Sequence, residues 1–97
     1  MSDQKMRVVL FEDDGLFVAQ GLEYDICTQA ETLSELITRF EMTLDAEAKE
    51  PGGLERLEPA PATFFRKWEQ AAYGRVDHNK GLPIHWRVAV IGGFSDV

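Results

Sequence analysis

The runs Arg7-Val8-Val9-Leu10-Phe11 and Leu16-Phe17-Val18-Ala19-Gln20 are rich in β-branched and aromatic side chains, and Glu12-Asp13-Asp14-Gly15 separates them. Such runs predict two strands, and the Asp-Gly pair supplies the residue types that accept the positive φ of a tight antiparallel turn. After Gly21, the stretch Tyr24-Asp25-Ile26-Cys27-Thr28-Gln29-Ala30 alternates apolar with polar residues. That period of two predicts a third strand with one face on a core, and so a three-stranded meander.

The period then lengthens. Leu33, Leu36, Ile37, Phe40 and Leu44 fall three or four apart on one stripe, while Glu35, Arg39, Glu41, Asp45 and Glu47 lie mostly elsewhere. This is the pattern of an amphipathic helix laid on a sheet. Thr32-Leu33-Ser34-Glu35 reads as its capping box, with the Thr32 hydroxyl accepting from the third helical amide. Pro51-Gly52-Gly53 should end it. Leu54 to Ala60 reads as an extended crossover, and Pro61 suits the first turn of a second helix. In residues 61–74, Phe64, Phe65, Trp68, Ala71 and Ala72 recur at helical spacing, with Gly74 as the close. Asp77 to Pro83 reads as a polar loop before a final strand over residues 84–91. The expected fold is α+β: one domain spanning residues 1–97, with an antiparallel sheet in the order β-β-β-α-(α)-β and its helices gathered on one face. Residues 7–50 form the β-β-β-α core of that reading.

Composition narrows the functional classes. Seventeen acidic against ten basic residues give a net charge of −7, which repels a phosphate backbone and attracts a basic protein. A single cysteine, Cys27, rules out an intrachain disulfide and suits a reducing cytoplasm. The first residues have no apolar run of signal-peptide type, and no run approaches the about 20 apolar residues of a membrane span. Cytoplasmic residence without membrane insertion is the expectation.

No catalytic or metal-binding constellation stands out, and no cofactor is expected. Glu12, Asp13 and Asp14 offer oxygen ligands for a hard cation, but three consecutive hairpin residues cannot all converge, and carboxylates are ordinary at solvated turns. His78 and His85 belong to no ligand pattern. Neither Asp25 nor Asp77 stands out as an orienting carboxylate for them. Cys27 lies between Ile26 and Thr28 with no neighbouring histidine to activate it. The glycine pairs Gly52-Gly53 and Gly92-Gly93 lack the lysine of a phosphate loop. In the C-terminal half, Arg66, Lys67, Arg75, Lys80 and Arg87 alternate with Phe64, Phe65, Trp68, Tyr73 and Trp86. Basic and aromatic groups in that mixture can hold single-stranded nucleic acid, but Glu69 and Asp77 interrupt the patch, and core packing is the better account of the aromatics.

The first half also carries a family likeness. Asp14-Gly15, Phe17-Val18-Ala19 and Thr32-Leu33-Ser34-Glu35 together resemble the turn, strand and helix start of the N-terminal domain of HicB-type antitoxins, over about residues 7–50. The resemblance implies a β-β-β-α-β domain that looks like a pared-down ribonuclease H fold without working catalytic acids. It implies a domain that oligomerises and blocks a small basic ribonuclease toxin. Nothing after Pro51 has the look of the ribbon-helix-helix or helix-turn-helix segment with which that family binds operators. The expectation is therefore a non-catalytic, homo-oligomeric interaction domain of antitoxin-like type. Its partners would be itself and a small basic toxin, with a nucleic-acid-binding module as the alternative. Phe11, Phe17 and Trp86 exceed what one helix can cover, which favours contact between subunits. Phe17, Arg66, Trp86 and Arg87 are the expected partner-binding residues.

Overall fold

In the computed structural model the backbone is described for residues 5–70, 75–78 and 85–90, and side chains for residues 6–70. The fold is α+β. Strands β1 (Lys5–Asp13), β2 (Leu16–Gly21) and β3 (Cys27–Ala30) form the antiparallel meander that the alternation predicts. The β1–β2 turn is the two-residue kind: Asp13 pairs with Leu16, and the residues between them, Asp14 and Gly15, have φ of 57° and 81°. Positive φ at both positions matches the twist of the flanking strands, so the Asp-Gly pair sets the register of the hairpin.

β3 starts later than the alternation suggests. Gly21 donates to the Ile26 carbonyl (2.8 Å) and Asp25 to that of Glu58 (2.8 Å), so Tyr24-Asp25-Ile26 are spent on a bend rather than on a ladder. The buried Gln20 amide braces the bend, donating to the Gly21 carbonyl at 2.9 Å and to Asp25 Oδ1 at 2.7 Å. This leaves β3 four residues long.

Helix α1 (Leu33–Ala48) begins where the capping box places it, with the Glu35 amide donating to Thr32 Oγ1 at 3.1 Å. Leu36, Phe40 and Leu44 are fully buried. Each large apolar side chain so enclosed is worth about 1.5–3 kcal/mol relative to exposure. The helix stops at Ala48 with Lys49 as its C-cap, as expected ahead of Pro51, which has no N–H to continue the ladder; Gly52 and Gly53, at φ 93° and 64°, turn the chain into a short 3-10 segment, Gly53–Arg56. That segment replaces the start of the expected crossover, because Leu54 is buried and joins the α1 core.

Helix α2 (Ala62–Gln70) carries the aromatic face. The predicted closure at Gly74 lies outside the described residues. Part of the expected polar loop is a strand, β4 (Arg75–His78), and β5 (His85–Val90) is the final strand. The sheet has five strands in the order β3-β2-β1-β5-β4. It is mixed rather than wholly antiparallel, since β5 runs parallel to β1, with Val8 opposite Val88. The long connection through α1 and α2 makes that possible, because a parallel return needs a crossover.

The expectation of both helices on one face is corrected. Side chains alternate along β1: Met6, Val8 and Leu10 join Ala19, Ala30, Leu36, Phe40 and Leu44 in one cluster, whereas Val9 joins Leu22, Ala60 and Trp68 in another, flanked by Phe11, Phe64 and Phe65. α1 therefore covers one face and α2 the other. The physical reason lies in β1, whose positions are apolar on both sides through Val8-Val9-Leu10-Phe11, so each face needs its own cover.

Candidate interaction surface

Two regions concentrate polar and aromatic chemistry. The first lies under α2. Glu23 follows β2 closely enough that its carboxylate accepts from both the Arg7 backbone amide (2.7 Å) and Arg7 Nε (2.6 Å). The guanidinium so fixed sits 5.2 Å from the Phe65 ring centre and 5.7 Å from that of Trp68. Beside it Phe11 stacks on Phe64 at 6.0 Å, and Lys67 Nζ lies 5.1 Å from the Phe11 ring. Cation–π contacts of this kind favour ring faces held against a fixed charge. The aromatics of α2 are thus engaged within the chain: Trp68 is buried, and Phe64 and Phe65 are half-buried.

The second region is the outer side of β3. This strand ends the sheet, so its far edge has no neighbouring strand among the described residues. A trough of about 370 Å³ runs beside it, lined by Thr28, Gln29, Arg39, Met42 and Thr43. A second depression of about 350 Å³, reaching Leu16, Glu31 and Glu35, shares Gln29 and Arg39 with it. Arg39 Nη1 donates to the Gln29 carbonyl at 3.1 Å, so that carbonyl points away from β2. Met42 is 66% exposed and is the exposed large hydrophobic among the described residues. Thr28 Oγ1 is buried without a hydrogen-bond partner, and such atoms are uncommon because leaving one unsatisfied costs about 1–3 kcal/mol.

Cys27 belongs to the same edge strand. One side of it is open to solvent; partial burial first, and the nearby Asp25 carboxylate second, push its thiol above the ordinary value. That direction disfavours the thiolate, the form that reacts and binds metals.

Of the residues expected to bind a partner, Phe17 and Arg66 lie on different faces of the sheet. Phe17 is partly buried and packs on the α1 core, whereas Arg66 is exposed on α2, across the sheet. Trp86 and Arg87 hold register positions opposite Met6 and Arg7 on β5, and their side chains lie outside the described ones. Phe11 and Phe17 are covered within the chain, by the α2 and α1 clusters respectively, so neither needs a second subunit to cover it. Glu12 pairs with Phe17 and Asp13 with Leu16, so the acidic run points to alternate faces, and among the described residues no group of three or more acidic, histidine or cysteine side chains is placed to hold a metal. No described helix is long and apolar enough to cross a membrane.

Sequence reasoning missed Thr28, Gln29, Arg39 and Met42. One signal was available, since Met42 is an apolar residue off the Leu33–Leu44 stripe. No protein-family model, curated protein or solved structure matches the chain.

Proposed function

We propose that this chain is a non-catalytic, self-associating protein-interaction domain of HicB-like type, acting as an antitoxin-like inhibitor of a small basic ribonuclease. The observation that carries the interaction reading is the open β3 edge, with a trough and the exposed Met42 beside it. An unpaired edge is a ready template for another chain. Element order adds support, because a meander, a capped amphipathic helix and a later return strand into the same sheet is the order that the resemblance implies. The net charge of −7 favours a basic partner.

The competing reading, a nucleic-acid-binding module, has less behind it. It needs ring faces free to stack on bases, and those of Phe64, Phe65 and Trp68 are occupied by the sheet and by Arg7.

The test is co-expression with the product of a neighbouring reading frame that encodes a small basic protein. Co-elution as one complex, with loss of that protein's ribonuclease activity, is the expected result. A basic neighbour that neither binds nor is inhibited overturns the antitoxin-like reading. Retention on immobilised RNA, weakening steeply with salt, would favour the nucleic-acid reading instead.

A further inference from the structure

We draw no further inference here: the strongest candidate, the outer edge of β3 with the trough of Thr28, Gln29, Arg39, Met42 and Thr43 beside it, belongs to the surface already described, and nothing in the structure shows what covers it.

Discussion

Gly21 shows how little room one position can leave. It closes β2 where the chain bends toward Ile26, and a Cβ there would stand 2.8 Å from Met6 Sδ and 2.8 Å from the Tyr24 carbonyl oxygen. The methionine can yield, but the carbonyl is backbone and held by the bend. Gly21→Ala should therefore destabilise the fold by about 1–3 kcal/mol, the usual cost of overpacking, read as a lower urea midpoint at unchanged slope. Cys27 offers a chemical readout at the same scale. Its thiol is pushed up by partial burial and then by Asp25, so alkylation by iodoacetamide should be slower than for a free thiol at about pH 8.5 and should climb only at higher pH. The sign for stability follows: the neutral thiol is favoured in the folded chain, so its contribution is complete below the ordinary thiol range and fades as pH rises through the raised value. Asp25→Asn should bring the alkylation profile part of the way back toward lower pH. A profile unmoved by that change would show that burial acts alone.

At the scale of elements, α1 was the most legible part of the chain. Its stripe, its Thr32 cap and its burial all agree, since local propensity and tertiary demand coincide there. Phe40→Ala should cost about 3–5 kcal/mol in urea unfolding, because the ring is wholly enclosed among β1, β2 and α1 side chains. A change of about half a kcal/mol or less would mean that the helix presents another face. The Asp14-Gly15 hairpin was equally legible, since positive φ at two successive positions demands those residue types. β3 was not, because alternation in Tyr24 to Ile26 is indistinguishable from a bend whose bonds go to Glu58, far along the chain. α2 was legible as an aromatic helix but not in its placement, which depends on Arg7. That side chain is clamped by Glu23 and lies against Phe65 and Trp68, a contact set with no local signature. Arg7→Ala should accordingly loosen α2 more than α1, seen as faster amide hydrogen exchange over residues 62–70 with α1 protection retained.

For the molecule as a whole, one strand governs both sides of the structure. β1 contributes Met6, Val8 and Leu10 to the α1 cluster and Val9 to the α2 cluster, and it lies between β2 and β5 in the sheet. A sequence reading that assigns one face to the core and one to solvent must then place both helices together, and it must look to a second subunit for the surplus aromatics. The apolar run Val8-Val9-Leu10-Phe11 already argues otherwise, for continuous hydrophobicity in a short strand is what burial on two faces requires. The candidate surface at β3 was illegible for a different reason: an edge is a property of strand order, and strand order is absent from local pattern. The shared strand also has an energetic consequence. Phe40 and Trp68 belong to separate clusters on opposite faces, so the losses from Phe40→Ala and Trp68→Ala should add to within about 0.5 kcal/mol, as for independent sites. Yet neither cluster can dissolve without removing a face of β1, so the chain should still unfold in one transition, with coincident far-ultraviolet circular dichroism and tryptophan fluorescence curves. Two resolved transitions in the Trp68→Ala variant, one for each helix, would refute the strand's joint role; clear non-additivity in the double variant would mean that strain passes directly through the sheet from one cluster to the other.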